Sequence, residues 1–567
     1  MRRAACALLL VVAALAASRV GAQGQAWAPE RVEAVRIVEV EPSTDAIAAD
    51  ALREKVSRAF RIFPASRFDA FALEVALGRV RRLPGIAAAE VEVLPGIAGG
   101  VEIEVQIVPG ATPGAAGPRG LLAGEGRSAF PVLYQNGDRF LTLALRGAAN
   151  LNVNQQAWYR RTDVLLEGNP LVDGAPGDGW FNERSSYLEP GIYGIVPLSR
   201  PLYVYAGLSY LWSGSDGQDL FANNTRSYAA TEDAYLGLVA GDTGEQGDRW
   251  VFNLSAGRKK FSVADGFIVG ATSGSGGERG MINFSPRWAA EQLVLLQAQR
   301  NQTRFELFHI DPDELIEIDT DSIYEGINFE HAWSQRVRLG LMYLHVPRSR
   351  QRYFTATEVF GREGLKVYNL RLESMRLAGE TGAFVRGEYA EQHNEDFAMH
   401  ATGAWLQGGW QFGQTRWTPV LSYRFAHLSG DDPDSDAYER WDPLLMGISP
   451  WDWVQGMNHG KVFGNANRIS HRLQLELRPR PTVQWISQAW MFRADEYNNL
   501  GGLAPLSELQ SKDLGHEINS MVRWFFHPNA FFQAQAALTW PGDALESGVE
   551  LTEGPWFFAN AFVRWNF

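Results

Sequence analysis

The sequence predicts a mainly β protein, a large antiparallel transmembrane β-barrel of about 16–18 strands behind a small N-terminal α+β domain. Three observations predict it. Beyond residue 22 no apolar run approaches the roughly 18 residues of a membrane-spanning helix, so any crossing must use strands. From about Phe130 onward, segments of alternating apolar and polar residues follow one another, separated by polar or Gly-rich turns. The last of them places Phe557, Ala559, Ala561, Val563, Trp565 and the terminal Phe567 on one face of a strand.

The chain opens with Arg2 and Arg3, an apolar run from Ala4 to Ala17, and small residues Val20-Gly21-Ala22 before Gln23. That is the layout of a secretory signal peptide over residues 1–22, so the mature protein is expected to leave the cytoplasm. The single cysteine, Cys6, lies inside this segment, which excludes disulfides, cysteine metal sites and cysteine catalysis together. The formal charge of −13 becomes −16 once Arg2, Arg3 and Arg19 leave, which argues against a nucleic-acid partner. With 57 Gly, 19 Trp, 17 Tyr and 31 Phe beside an ordinary 46% hydrophobic content, the composition suits a barrel with aromatic girdles.

Residues 30–109 change pattern. An alternating strand (Val35, Ile37, Val40) precedes two helical stretches, each with one apolar stripe: Ile47, Leu52, Val56 and Phe60, then Leu73, Ala76, Leu77 and Val80. Ser66 and Asp69 read as a capping pair for the second. Two strictly alternating strands follow, Ala89 to Val93 and Val101 to Ile107, joined by the turn residues Pro95 to Gly100. This β-α-α-β-β unit, with its Leu83-Pro84-Gly85-Ile86 turn and closing hairpin, resembles a POTRA domain. The resemblance implies a periplasmic position and an exposed sheet edge, placed at Val101, Ile103, Val105 and Ile107, that receives substrate segments by strand addition. A folded adaptor that docks another periplasmic protein is the other reading. Residues 110–127, rich in Gly, Ala and Pro, read as a linker to the barrel over 128–567.

Within the barrel the period of two assigns faces. If Leu421, Tyr423 and Phe425 meet lipid, Arg424 faces the lumen; likewise Arg472, Gln474, Glu476 and Arg478 turn inward opposite Leu473, Leu475 and Leu477. The same argument places Arg304 with Glu306, Arg386 with Glu388, and Glu517 with Arg523 inside. The lumen is therefore expected to be charged, with arginine slightly ahead, and such arginines would favour carboxylated substrates. The competing reading is that Arg and Glu pair across strands to stiffen the wall. Two stretches, Leu166 to Ser186 and Asp431 through Asn465, are too long for the short periplasmic turns of such barrels and are expected on the outer side.

In the C-terminal half, Leu428-Ser429-Gly430-Asp431-Asp432 leads to Trp441-Asp442-Pro443-Leu444-Leu445, Asn465-Ala466-Asn467 and Lys512-Asp513-Leu514-Gly515-His516-Glu517-Ile518. This ordered set resembles the alginate-export family of outer-membrane porins, with fainter similarity at Gly257-Arg258 and Asp265-Gly266. The resemblance implies a pore passing anionic polysaccharide or small solutes. That family is not associated with a POTRA domain, so a polypeptide transporter of the two-partner-secretion or outer-membrane-assembly type stays open, and an interaction-only scaffold is third. The transporter reading has one motif, Val385-Arg386-Gly387, but Glu388 stands where an aromatic residue belongs. The end of the final strand (Phe557, Val563, Trp565, Phe567) looks like the signal read by barrel-assembly machinery. The other expected partners are outer-membrane lipid and an exported polymer or periplasmic export partner.

Neither catalysis nor a cofactor is expected. There is no Gly-x-Ser-x-Gly, His-Glu-x-x-His or phosphate loop, and His309, His331, His345, His427, His471 and His516 fall at no metal-ligand spacing. The acidic runs Asp431, Asp432, Asp434, Asp436 and Asp311, Asp313, Glu314, Glu317, Asp319 lack the ordered spacing of a calcium loop and read as solvated.

Overall fold

The computed structural model describes residues 32–40, 46–60, 62, 73, 76–77, 80–81, 83–95, 101–110 and 132–136. From 139 to 566 it describes all but 174–178, 200, 244–248, 335, 377–379, 414, 448–454, 481, 528–529 and 552–553. The expected signal peptide, most of the linker, Ser66, Asp69 and Phe567 lie outside the described residues.

The N-terminal unit is a three-stranded sheet. Strands β1 (Val32–Glu39), β2 (Ile86–Pro95) and β3 (Val101–Pro109) are ordered β1-β3-β2, with β1 parallel and β2 antiparallel to β3. Helix α1 (Ala46–Phe60) contributes Val56 and Phe60, and the second apolar stripe contributes Leu73, Ala76, Leu77 and Val80, to a core shared with one face of this sheet. This order corrects one expectation: Val101, Ile103, Val105 and Ile107 lie on the central strand and are buried, so they form no edge. Alternation had identified which face they bury; strand order depends on pairing of residues 68–69 apart, Val32 with Val101 and Glu39 with Ile107, which alternation does not encode. Each such side chain stabilises the unit by about 1.5–3 kcal/mol through burial.

After the short strand β4 (Val132–Asn136) come eighteen strands of a closed antiparallel barrel. The first six are β5 (Arg139–Gln155), β6 (Trp180–Ser199), β7 (Leu202–Gly217), β8 (Arg226–Thr243), β9 (Arg249–Lys260) and β10 (Ala289–Arg300). Next are β11 (Thr303–Asp311), β12 (Ile323–Ala332) and β13 (Val337–Arg348). A small hairpin, β14 (Arg352–Phe354) with β15 (Val359–Gly361), then stands outside the wall. The wall resumes with β16 (Leu365–Ser374), β17 (Thr381–Asn394), β18 (Ala401–Phe412), β19 (Val420–Leu428) and β20 (Arg468–Arg480). It finishes with β21 (Val483–Arg493), β22 (Asp513–His527), β23 (Ala530–Pro541) and β24 (Trp556–Asn566). Closure is made by β24 on β5, in register from Phe557↔Gln155 to Asn566↔Arg146.

Connections alternate between short turns at one end and long segments at the other. The longest are 156–179, 261–288, 349–364, 429–467, 494–512 and 542–555. Both stretches expected on the outer side belong to this long-loop end, except that residues 180–186 extend β6, whose Phe181, Glu183 and Ser185 point inward. The outer face carries the exposed apolar residues, among them Leu421, Tyr423, Phe425, Leu473 and Leu475, while their sequence neighbours are buried. This is the lipid-out, polar-in alternation of a membrane barrel. Strands β5 to β8 run to 16–20 residues, beyond the roughly 9–11 needed to cross a bilayer, so their ends project past it.

Candidate functional site: the charged lumen

The site is built by register. Antiparallel pairing sets inward residues side by side around the wall from β17 to β22: Arg386, Gln407, Arg424, Arg472, Trp490 and Glu517. Three guanidinium groups converge on one amide oxygen. Gln407 Oε1 accepts from Arg386 Nη2 at 3.2 Å, Arg424 Nη2 at 2.9 Å and Arg472 Nη2 at 3.2 Å. Trp405, one inward position along β18, lies under two of them, with Arg424 at 4.6 Å and Arg386 at 5.2 Å from its ring centroid; Arg472 sits 5.4 Å from Trp490. Unit charges some 5 Å apart in a medium of effective dielectric ~20 repel by roughly 3 kcal/mol, so the cluster needs these compensations.

The facing wall carries the opposite sign. Buried Glu183, Glu189, Glu232 and Asp233 come from β6 and β8. Arg146 Nη1 reaches Glu189 at 2.7 Å and Asp233 at 3.0 Å, and Lys260 Nζ reaches Glu189 at 3.3 Å. On the wall β17 to β20 bury Arg386, Arg424, Arg468 and Arg472 beside Glu388 and Glu476, while β6 and β8 bury four carboxylates, three of which pair with Arg146, Lys260 and Arg287.

Segment 261–288 and the described parts of a second, 429–447 and 455–467, fold inward between these walls. They cross where Gly447 N donates to Gly266 O and Gly270 N to Leu445 O, both at 2.7 Å. A Cβ on Gly270 would lie 2.7 Å from Gly447 Cα, so the crossing requires glycine there. Acidic nodes hold the segments to the wall. Asp265 of the first segment accepts from Arg386 Nη1 at 2.7 Å. Asp313 accepts from Arg258 at 2.6 Å, from Arg279 at 2.8 Å and from Arg287. Asp442 receives a bidentate pair from Arg362 at 2.7 and 3.0 Å and the Tyr353 hydroxyl at 2.6 Å. Glu517 accepts the backbone N–H groups of Met457 (2.6 Å), Asn458 (3.0 Å) and His459 (3.3 Å), the start of the short helix His459–Phe463. Asp313 and Asp431 therefore depart from the solvated reading: both are buried, and Asp431 accepts from Glu439 N and Asn498 Nδ2 at 3.0 Å each. Apart from the nearby Glu439, their partners lie tens of residues away, out of reach of any local pattern.

Burial alone pushes the Asp442 carboxyl up, but Arg362 and Tyr353 outweigh it and hold it below the usual carboxylate range; the arginines do the same for Asp313. A carboxyl held low stabilises the docked segments fully above its unfolded value and loses that contribution as pH falls through the folded one. Protease access to residues 429–467 is therefore expected to stay constant between about pH 5 and 8 and to rise below about pH 4.

The sequence pattern of one protein family, alginate export, matches residues 220–555, more than half of the chain. The chain belongs to the alginate export family. With its closed eighteen-strand wall it is an outer-membrane channel. No curated protein sequence matches the chain. Solved structures to which it is similar include the following three, each at a TM-score below 0.5. Pseudomonas aeruginosa OccK5 (OpdH) is 10% identical, over 75% of this chain and 97% of that one, with a TM-score of 0.46. Acinetobacter baumannii OccAB2 is 9% identical, over 75% and 98%, at 0.45. Pseudomonas aeruginosa OprD is 11% identical, over 76% and 95%, at 0.44.

The residues through which this sequence resembles the alginate export family are the ones that hold the inward segments. Trp441 stacks on Phe267 at 5.6 Å, joining the two segments, and Asp442 binds Arg362. Gly515, at φ +114°, passes so close to Trp540 O that a Cβ would sit 2.3 Å from it, and Glu517 two residues later anchors 457–459. Arg258 and Asp265 are the anchors at Asp313 and Arg386.

Of the nine lumen residues named from sequence, Arg386, Arg424 and Arg472 come together. Glu388 accepts from Asn369 Nδ2 at 2.9 Å and Trp405 Nε1 at 3.2 Å. Arg304 pairs with Glu330 at 2.7 Å and lies 3.5 Å from Glu306, in a separate network on β11 and β12. Glu476 and Arg478 pair with each other at 3.2 Å. Arg523 donates to Gln533 at 3.0 Å and lies 5.3 Å from the Phe531 ring. Val385-Arg386-Gly387 lies within β17 as part of the wall. At the short-turn end, Phe525 and Phe531 share one buried cluster with the N-terminal sheet, with Phe562 packed against it. Phe557, Val563 and Trp565 lie on the other face of β24 from the inward Phe558 and Asn560. Sequence reasoning missed Arg362 and Arg287; Asp265 was marked only through the fainter family similarity, and the motif around Asp442 hinted at the node.

Proposed function

We propose that this channel passes an anionic polysaccharide, or small carboxylated solutes, across the outer membrane by diffusion or threading past the arginine wall. The observation that carries the reading is the convergence of Arg386, Arg424 and Arg472 on Gln407, with Asp265 already paired to Arg386: grouped guanidiniums suit a carboxylate, which each binds in bidentate fashion. Field from buried cations also attracts anions before contact. The inward segments lie over this wall, so a polymer must displace or thread between them.

The N-terminal unit, read as a POTRA-like domain on the periplasmic side, would meet substrate or a periplasmic partner at the mouth where Phe525, Phe531 and Phe562 pack against it. No covalent chemistry is involved. Planar-bilayer recording tests both parts. The full chain is expected to show steady conductance blocked by uronate oligomers, and removal of residues 23–126 to raise conductance by freeing that mouth. A barrel that stays closed, or opens only in brief large flickers whatever the uronate concentration, would overturn this in favour of polypeptide transport.

A further inference from the structure

The outer face of the barrel, away from the lumen, carries a cluster that the sequence reading did not assemble. Glu391 and His393 are two apart on β17 and so share a face. Gln392 pairs with Ala401, and this register brings His400, just before β18, opposite His393. The His393 and His400 rings lie 5.4 Å apart between centroids. His393 Nε2 is 3.5 Å from Glu391 Oε2, and one ligand atom from each of the three residues falls within 4.8 Å of the others. Both strand side chains are about two-fifths exposed, at 40% and 37%, and His400 is exposed, so an ion can reach them. Tyr389 Oη donates to Glu391 Oε1 at 2.6 Å, leaving Oε2 toward the histidines. That is the outer-shell hydrogen bond that orients a ligating carboxylate.

We infer that Glu391, His393 and His400 form a binding site for a divalent transition-metal ion on the outer wall at the long-loop end. Two imidazoles and one carboxylate suit zinc, copper or nickel and not magnesium or calcium, which take oxygen ligands. Ligand atoms bound at about 2.0–2.1 Å around a tetrahedral ion lie about 3.3–3.5 Å apart, the separation already present between His393 and Glu391. Three protein ligands leave a position for water or a group from the membrane surface. The bound ion would tie residues 395–400, which connect β17 to β18, to the end of β17.

The test is equilibrium dialysis of untagged full-length protein in detergent against zinc chloride at neutral pH, with the bound metal counted. One equivalent is expected in the wild type, unaffected by excess magnesium and lost in His393→Ala and in His400→Ala. His309→Ala, which removes another outward His–Glu pair, made with Glu325 at 3.0 Å, is expected to retain it. Heat-modified gel migration verifies that each variant is a folded barrel. Cobalt substitution should give a visible absorption band that disappears in the same two variants. Absence of a retained ion, equal retention in a folded His393→Ala/His400→Ala double variant, or loss with His309→Ala would each overturn the assignment.

Discussion

Replacing Arg424 and Arg472 together by alanine is expected to weaken block by uronate oligomers by about tenfold or more and to move the reversal potential in a salt gradient toward cation preference. A charge-assisted hydrogen bond contributes roughly 1.5–3 kcal/mol, and each 1.4 kcal/mol is about tenfold in affinity. Two lost guanidiniums on adjacent strands, both bonded to Gln407, remove at least that much. The charge-keeping variant Arg424→Lys/Arg472→Lys separates field from geometry. It should hold the reversal potential near the wild-type value while losing much of the block, because lysine offers a point charge without the bidentate fork. Single-channel recording in a salt gradient, with and without oligomer, reads both quantities.

Glu517→Ala is expected to release residues 455–467 from the wall. The carboxylate accepts three backbone N–H groups, Asn519 Nδ2 and the Thr539 hydroxyl, the last two at 2.8 Å each. Its loss leaves buried donors without their charged acceptor, and removing one partner of such a buried group costs of order 3–5 kcal/mol in all. The barrel itself, held by eighteen ladders, should remain. The expected signature is therefore selective: faster proteolysis between residues 455 and 467, higher and noisier conductance, and unchanged heat-modified migration. Glu517→Gln, which keeps one acceptor oxygen, should fall between. Loss of the folded barrel in Glu517→Ala would instead make Glu517 a wall residue and not an anchor.

What was legible in the sequence follows what a local pattern can encode. A period of two separates lipid-facing from lumen-facing residues, so Arg424 between Tyr423 and Phe425, and Arg472 beside Leu473, declare their side without any structure. Register is another matter. That Arg386, Arg424 and Arg472 share Gln407 depends on which residue of each strand faces which, and no single segment carries that. The same limit put β3 at the sheet edge when it lies at the centre. Loops were hardest. Asp313 in an acidic run resembles a solvated loop, and only the arrival of Arg258, Arg279 and Arg287 from elsewhere makes it a buried node. Asp442 and Glu517 were visible as parts of a family resemblance, but their roles as anchors depend on partners 80 and about 60 residues away.

The central claim is that the lumen prefers carboxylated chains, and paired block curves test it most directly. Oligomers of a uronic acid and of a neutral hexose, matched in length, are titrated onto single channels of the full chain. The account predicts that the uronate blocks at concentrations at least an order of magnitude lower. Equal block by the two oligomers, or stronger block by the neutral one, would contradict it.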